Sequence, residues 1–178
     1  NGKANTDLSQ NGRLAVGIPG SVAGFYVTLK YCKLPMEKLI QPAIDLAEKG
    51  FSITSQEASL LNSQKQYFEK HNKNAIAFIK NSEWKKGDIL TQPQLAETLK
   101  RIQKEGLKGF YEGKTAQLIV DEMKNGNGII SLNDLKNYKA LERKTLQFSY
   151  KNNEIISMSL PSSGGILLAQ MLKMSCFE

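Results

Sequence analysis

The sequence predicts an α+β fold that is mainly helical, with a short strand over residues 13–18 and a β-hairpin over residues 143–158. Apolar residues recur at helical spacing through most of the chain. The spacing changes to that of strands over 143–150 and 154–158, which a turn rich in asparagine joins. Apolar residues make up 40% of the 178 residues, enough to build the core of one medium-sized domain.

The first strand is predicted from a short apolar run that Pro19 and Gly20 end. We expect Val16 and Ile18 to be buried beside the hairpin, because short strands need sheet partners and the middle of the chain is helical. Residues 1–12 carry no such pattern, and we expect them to be a poorly structured lead-in to one incomplete domain over 13–178.

Seven helices are predicted from the residues that cap or break them. The side-chain hydroxyls of Ser21, Thr54 and Ser131 can accept hydrogen bonds from backbone N–H groups at helix starts. Glu57 is placed to form a capping box with Thr54. Proline favours first turns, and glycine favours the position after the last turn. The helices are expected to begin at or after Ser21, Pro35, Thr54, Pro93, Gly113, Ser131 and Gly165, with glycine ends at Gly50, Gly106 and Gly126.

The polar stretch over residues 70–88 is predicted to be a surface excursion with a short apolar island at 75–79. The formal net charge is +7, from 24 Lys plus Arg against 17 Asp plus Glu. The lysines are scattered rather than clustered, which favours a solvated surface over a nucleic-acid interface.

The sequence also bears on membrane insertion, targeting and the state of the cysteines. No apolar run approaches the length needed to span a bilayer. The first residues have no apolar signal region and do not begin with Met, so we expect a processed product or a fragment. Cys32 and Cys176 are expected to be two isolated buried thiols, although a disulfide between them stays open.

A glycine-rich segment over residues 17–24 follows the predicted strand and opens a helix. It resembles a phosphate cradle in outline, but it has neither the Gly-x-Gly-x-x-Gly fingerprint nor a terminal Gly-Lys-Ser/Thr. Close packing of strand and helix is the favoured interpretation, because glycine removes the side chain that would block approach. The residues concerned are Gly17, Pro19, Gly20 and Gly24.

A second motif places two hydroxyls and two glycine amides at the start of the last helix. Free N–H groups and the helix dipole there could bind an anion. The favoured interpretation is that one serine caps the helix. The residues are Pro161, Ser162, Ser163, Gly164 and Gly165.

The residues alone present no complete active site. His71 is the only histidine and lies in the polar stretch, where a surface position is expected. Asp121, Glu122 and Asp134 could act as acids, but each sits where a solvated helix carboxylate is typical. No cluster has the spacing of metal ligands.

Six segments together resemble the gamma-glutamyltranspeptidase family, in the family's order and over nearly the whole chain from Arg13 onward. Each is weak alone, but six at plausible spacings are hard to obtain by chance. They are 17–24 (GIPGSVAG), 42–51 (PAIDLAEKGF), 87–96 (GDIL with Gln92-Pro93 and Leu95-Ala96), 109–113 (GFYEG), 134–143 (Asp134, Leu135, Tyr138, Ala140 and Arg143) and 161–165 (PSSGG).

The resemblance implies an N-terminal-nucleophile hydrolase fold, an αββα sandwich, in which a precursor cuts itself into a large and a small subunit. The new N-terminal Thr of the small subunit attacks the gamma-glutamyl amide, and its own α-amine can serve as the base. The acyl group then passes to water or to an amino acid. No cofactor is implied; the implied partners are the small subunit and a gamma-glutamyl substrate such as glutathione.

The matching segments belong to the large subunit, so the resemblance carries over no catalytic, substrate-binding or metal residue. The nucleophilic Thr is expected downstream of Glu178, and the Arg that grips the substrate carboxylate upstream of Asn1. The Ser-Ser-Gly-Gly stretch at 162–165 is distinct from the serine and glycine pairs of the family's substrate pocket, which lie in the small subunit. We therefore expect a structural role for this segment and no activity of the chain alone.

Two alternatives stay open. One is a related acylase or poly-gamma-glutamate-processing enzyme of the same architecture. The other, of a different class, is a helical module that binds anionic partners through its lysines. The resemblance implies export to the periplasm, cell surface or medium.

Overall fold

The computed structural model describes residues 6–72 and 74–175, and the chain divides into two compact units, Asn1–Ala140 and Leu141–Glu178. The first unit is helical with one small sheet, and the second holds a hairpin and a helix. The described elements of the first unit are α1 (Thr6–Gln10), α2 (Ser21–Thr28), α3 (Met36–Lys49), β1 (Phe51–Ser52), α4 (Ser55–His71), β2 (Ile89–Leu90), α5 (Pro93–Glu105), α6 (Lys108–Tyr111), α7 (Gly113–Asn125) and α8 (Leu132–Asn137). Those of the second are β3 (Leu146–Tyr150), β4 (Asn153–Ser157) and α9 (Gly164–Met174).

The main core of the first unit lies where α2, α5, α6, α7 and α8 meet. Leu135 and Ala116 are fully buried at its centre. Gly109 lets α6 approach α5 closely, since a β-carbon there would lie 2.2 Å from the carbonyl oxygen of Arg101. The other buried members are Val22, Ala23, Ile102, Tyr111, Val120, Met123 and Ile130.

A smaller core joins α4 to the two-stranded sheet. Phe51 pairs with Leu90 and Ser52 with Ile89, in antiparallel register. Gly50 sits beside this pair with φ of 81°, and a β-carbon on it would lie 2.5 Å from Ile89 Cγ2. Glycine at this position therefore both ends α3 and admits the second strand.

The stretch over 70–88 is more firmly packed than a surface excursion. Trp84 packs against the smaller core, as does Phe78 from the predicted apolar island. The side-chain amide of Asn62 donates to the Trp84 carbonyl oxygen at 3.0 Å and its oxygen accepts the Trp84 N–H at 2.8 Å. Lys80 pairs with Asp88 and lies 4.5 Å from the centre of the Trp84 ring. The surface prediction was therefore wrong for Phe78 and Trp84, because Asn62 of α4 holds the Trp84 backbone and the Trp84 indole N–H donates to the Phe78 carbonyl oxygen at 2.9 Å.

Most predicted helix ends are confirmed. Thr54 and Glu57 form a capping box, and so do Ser131 and Asp134. Pro35 lies one position before α3 rather than inside it. Ser21 does not cap α2: the helix begins at Ser21 itself, and Gly20 at the N-cap offers no side chain.

In the turn after α7, two glycine N–H groups donate hydrogen bonds to the same carbonyl oxygen. Gly126 donates its N–H to the Met123 carbonyl oxygen at 3.2 Å, and Gly128 donates to the same oxygen at 2.7 Å. Asn127 between them takes a left-handed φ of 58°. Residues 126–128 therefore end α7, as the sequence predicts.

The strand predicted over residues 13–18 is wrong. Arg13–Ala15 form a 3₁₀ turn, Val16 is extended but 43% exposed, and Ile18 is half-buried against the main core. The bend begins at Gly12, whose φ is 79°, and the Arg13 guanidinium pairs with Glu122 and donates to the His71 carbonyl oxygen. This ion pair fixes a turn, and the described strands pair without residues 13–18.

The lead-in predicted over 1–12 falls partly outside the described residues, which begin at Thr6. Within it, residues Thr6–Gln10 form α1. No helix in the described part of the chain is long and apolar enough to cross a membrane.

The hairpin of the second unit is confirmed. β3 and β4 pair from Leu146 with Ser157 to Tyr150 with Asn153. Lys151 and Asn152 make the turn, and Lys151 takes a left-handed φ of 51°. This two-residue connection suits the right-handed twist of paired strands.

Candidate functional site

The glycine segment over 17–24 is held in place by a tyrosine from α6. The Tyr111 hydroxyl donates to the Pro19 carbonyl oxygen at 2.7 Å and accepts the Ala23 N–H at 3.2 Å. Ala23 is the third residue of α2, where helical N–H groups have no partner within the helix. Burial raises the pKa of Tyr111, so this phenol stays protonated and able to donate. Tyr111 therefore fixes both the approach to α2 and its first turn.

A second tyrosine explains the glycine at position 20. The Tyr138 ring stacks on Tyr111 with ring centres 5.7 Å apart. A β-carbon on Gly20 would lie 2.3 Å from the Tyr138 hydroxyl oxygen. A close approach therefore exists at Gly20, but its partner is the Tyr138 side chain and not a strand.

The other two glycines of the motif have different surroundings. A β-carbon on Gly17 or Gly24 would meet no atom within 4 Å. The expectation of close packing was therefore wrong for both, because open space surrounds each of them. Pro19 contributes its carbonyl oxygen, and its ring is exposed.

The motif at 161–165 lies in the second unit and surrounds the start of α9. The Ser162 hydroxyl accepts the Gly164 N–H at 3.3 Å, whereas the Ser163 side chain makes no cap hydrogen bond. A β-carbon on Gly165 would lie 2.1 Å from the Met158 carbonyl oxygen. Pro161 follows a cis peptide bond. These contacts bring the start of α9 against the end of β4.

Each of the candidate acids has a hydrogen-bond or ion-pair partner, and the histidine has a ring contact. Asp134 accepts hydrogen bonds from Ser131, which lower the pKa of its carboxyl group. Glu122 pairs with Arg13, and Asp121 accepts from Gln117 at 2.7 Å. His71 is half-buried, with its ring centre 4.4 Å from that of Tyr67. In the part of the chain that the structure describes, these groups do not converge on one site.

The cysteines do not form a site either. Cys32 is exposed, so the expectation of a buried thiol was wrong there, and Cys176 lies outside the described residues. Cys32 lies at the surface because it follows the 3₁₀ turn Leu29–Tyr31, beyond the end of α2. Over residues 6–72 and 74–175, no group of three His, Cys, Asp or Glu side chains is placed to hold a metal ion.

Sequence reasoning missed the tyrosine contacts, although its signals were present. Tyr111 belongs to the GFYEG segment and Tyr138 to the 134–143 segment, both of which carry the family resemblance. The structure shows that these two segments and GIPGSVAG form one packed unit. Segments that are far apart in the sequence are therefore in contact: Tyr111 and Pro19, which share a hydrogen bond, are 92 residues apart.

The likeness to one protein family extends over nearly the whole chain. The family model described as gamma-glutamyltranspeptidase matches residues 1–176. A glutathione hydrolase proenzyme of Pseudomonas sp. (strain A14) is 38% identical over 167 residues, which are 92% of this chain and 29% of the relative. The capsule biosynthesis protein CapD proenzyme of Bacillus anthracis is 40% identical over 161 residues, with 90% and 29% covered.

The solved structures agree with these matches. The gamma-glutamyltranspeptidase of Helicobacter pylori superposes with a TM-score of 0.91 at 41% identity, covering 96% of this chain and 50% of that one. The CapD transpeptidase of Bacillus anthracis gives a TM-score of 0.76, covering 89% and 54%. These neighbours confirm the expected segment of an N-terminal-nucleophile hydrolase fold.

The chain thus spans about half the length of the solved relatives and less than a third of the curated ones. The family match nevertheless runs from residue 1 to residue 176, and it includes both glycine motifs and the two tyrosines that hold the first of them. The chain belongs to the gamma-glutamyltranspeptidase family.

Proposed function

We propose that the chain is part of the large subunit of an enzyme that cleaves gamma-glutamyl amides such as glutathione and transfers the glutamyl group to water or to amino acids. The observation that carries the proposal is the family match over residues 1–176. It is supported by relatives named glutathione hydrolase proenzyme in Pseudomonas sp. and Escherichia coli, each 38% identical to the chain.

The proposed reaction uses a nucleophile outside this chain. The hydroxyl of an N-terminal Thr on the small subunit attacks the gamma-carbonyl carbon, and its proton passes to the threonine's own α-amine. The amide C–N bond then breaks, and the leaving amine takes that proton. The ester that remains is attacked by water or by the amine of an acceptor, which releases glutamate or a new gamma-glutamyl amide and restores the threonine.

The proposed role of this chain is structural. Acyl transfer needs a nucleophile, a base and oxyanion donors in one place. Among the described residues, the candidate acids Asp121, Glu122 and Asp134 each bind a local partner instead, which supports the proposal. The chain instead supplies packed helices and a hairpin. We expect its glycine motifs to shape the scaffold, with Tyr111 and Tyr138 fixing the first and Gly165 the second.

Export is the proposed location, to the periplasm, cell surface or medium. Exported proteins of this family act on gamma-glutamyl compounds outside the cytoplasm, as the resemblance implies. Fractionation of cells that express the complete gene tests this: we expect the protein outside the cytoplasmic fraction, and exclusive recovery with a cytoplasmic marker would contradict the proposal.

A second candidate function is the processing of poly-gamma-glutamate, the alternative that the family resemblance leaves open. The capsule biosynthesis protein CapD proenzyme is as similar in sequence as the glutathione hydrolases are. Its identity is 40%, against 38% for the Pseudomonas sp. relative. The structures favour the first candidate, since the TM-score is 0.91 for the Helicobacter pylori enzyme and 0.76 for CapD.

A chromogenic gamma-glutamyl anilide assay tests the proposal. The complete processed protein should release the anilide and should hydrolyse glutathione, whereas the isolated 178-residue chain should match the buffer blank. Activity on poly-gamma-glutamate without activity on glutathione would favour the second candidate. Steady release by the isolated chain, abolished by a point substitution within it, would overturn the structural role.

A further inference from the structure

An apolar groove of about 390 Å³ opens on the surface of the first unit, between α2, α3, α5 and the turn Leu29–Tyr31. Val22, Met36 and Ile102 form its buried floor. The two polar side chains of its lining are occupied locally: the Thr28 hydroxyl donates to the Phe25 carbonyl oxygen at 2.9 Å, and the Cys32 thiol lies 3.6 Å from the Thr28 carbonyl oxygen. The groove thus offers mainly apolar contacts.

Large apolar side chains on the rim of the groove are exposed. Phe25 is 59% exposed and Leu39 is 42% exposed, both in the lining. Tyr31 and Leu34, which lie between them in the sequence, are also exposed. Contiguous apolar surface of this kind on a soluble protein usually marks an interaction site.

The segment that supplies most of the lining is basic. Residues 28–40 contain three lysines, Lys30, Lys33 and Lys38, and one acidic residue, Glu37. All four are exposed. Lys30 directly follows Leu29 and Lys33 directly follows Cys32, and both Leu29 and Cys32 line the groove. Lys38 lies on the other side of α3 from the lining residues Met36, Leu39 and Ile40. Charge complementarity then calls for carboxylates on whatever covers the groove.

The relatives indicate where such a covering segment would come from. The residues that match this chain are 29% of the Pseudomonas sp. proenzyme and 50% of the solved Helicobacter pylori chain. Proenzymes of the family therefore carry a large amount of further polypeptide. A folded protein of that size generally covers apolar grooves of this kind with its own chain.

We infer that this groove is an internal docking surface, covered in the complete protein by a segment of the same proenzyme that carries apolar side chains beside carboxylates. The inference rests on the proposed function only in taking the protein to be a proenzyme larger than this chain. Phe25 and Leu39 would contact the apolar side chains of the segment, and Lys30 and Lys33 its carboxylates.

Cys32 gives a direct test in the complete processed protein, because it lines the groove and is exposed in the structure of this chain. Alkylation by N-ethylmaleimide, followed by mass spectrometry of the peptide that contains Cys32, should be at least about 100-fold slower in the native protein than in guanidinium. A native rate within about threefold of the unfolded rate would show an open groove and overturn the inference.

Carbodiimide cross-linking identifies the occupant. We expect zero-length cross-links from Lys30 or Lys33 to Asp or Glu residues of the same heterodimer, outside the sequence of this chain. Cross-links to residues of this chain in a second copy, or protection of Cys32 that is lost on dilution, would assign the groove to self-association and overturn the inference. Protection of Cys32 that is lost when the protein is stripped of bound small molecules would assign it to a ligand and overturn it equally.

A matched pair of variants adds an independent measurement. Leu39→Asp places a carboxylate in the groove, and we expect at least a tenfold increase in the native alkylation rate of Cys32. Leu118→Asp, at a similarly exposed position on α7 that does not line the groove, should leave that rate unchanged. Equal rates in both variants and the wild type would contradict the inference. A protein with protected Cys32 but no gamma-glutamyl activity would refute the proposed function alone.

Discussion

The hydroxyl of Tyr111 bridges the Pro19 carbonyl oxygen and the Ala23 N–H, at 2.7 Å and 3.2 Å. One side chain from α6 thereby satisfies backbone groups on both sides of the start of α2. The phenol is buried and protonated, which suits its double role as donor and acceptor. The first glycine motif thus depends on a residue that lies far away in the sequence.

Tyr111→Phe should destabilise the protein by about 1–3 kcal/mol, because it leaves the buried Ala23 N–H and the partly buried Pro19 carbonyl oxygen without their partner. Urea unfolding followed by circular dichroism measures the change. Tyr67→Phe is the control: its hydroxyl bonds to Asn11 at the exposed surface, and we expect a change below about 0.5 kcal/mol. Equal effects of the two substitutions would contradict the role assigned to Tyr111.

Gly20→Ala should destabilise the protein by about 1–3 kcal/mol, since the new methyl group would overlap the Tyr138 hydroxyl at 2.3 Å. Removing that hydroxyl with Tyr138→Phe should recover part of the loss, as a double-mutant cycle would show. Gly24→Ala is the matched control within the same motif. It lies inside α2 with open space around it, so we expect it to stabilise by up to about 1 kcal/mol.

Ser162→Ala should cost about 0.5–1 kcal/mol of stability in the second unit, because it removes the acceptor of the Gly164 N–H. Ser163→Ala should change the stability little, as the Ser163 hydroxyl makes no cap bond. Thermal unfolding of both variants beside the wild type measures the difference. A larger loss for Ser163→Ala would point to a role outside helix capping, such as binding an anion.

The acid stability of the protein should depend on Asp88. Hydrogen bonds from the Lys80 side chain and the Lys85 N–H hold the pKa of this carboxyl group below its ordinary value of 3.8. A lowered pKa stabilises the folded state above the ordinary value, and the contribution is lost as the pH falls through the folded value. Asp88→Asn should therefore flatten the fall in melting temperature as the pH drops below the ordinary value of 3.8.

Lys80→Gln should flatten the same acid transition, since it removes the largest cause of the lowered pKa of Asp88. Melting curves of both variants at each pH, at one ionic strength, make the comparison. If the melting temperature of Asp88→Asn fell as steeply as that of the wild type, the acid sensitivity would belong to other groups.

Local signals predicted the helix ends and the hairpin well. The Thr54–Glu57 and Ser131–Asp134 boxes need only residues three apart, and the β3–β4 turn needs two residues that bring adjacent strands together. Such features depend on short-range geometry, which the sequence displays directly.

Features that depend on distant residues could not be predicted in the same way. Residues 13–18 have the composition of a strand, but the ion pair between Arg13 and Glu122 holds a turn there. The pairing of Phe51 with Leu90 joins strands of only two residues, too short to give an alternating pattern. The contacts of Tyr111 and Tyr138 with the first glycine motif likewise exist only after α6 and α8 pack together.

The turn after α7 has a consequence for the chemical ageing of the protein. Asn125–Gly126 and Asn127–Gly128 are Asn-Gly dipeptides, a kind prone to deamidation, in which the glycine nitrogen attacks the asparagine side chain to form a succinimide. Here both glycine N–H groups are held by the Met123 carbonyl oxygen, so neither nitrogen is free to attack in the folded state. Isoaspartate at these two positions would accumulate only as fast as the end of α7 opens, and it would record that local unfolding in stored protein.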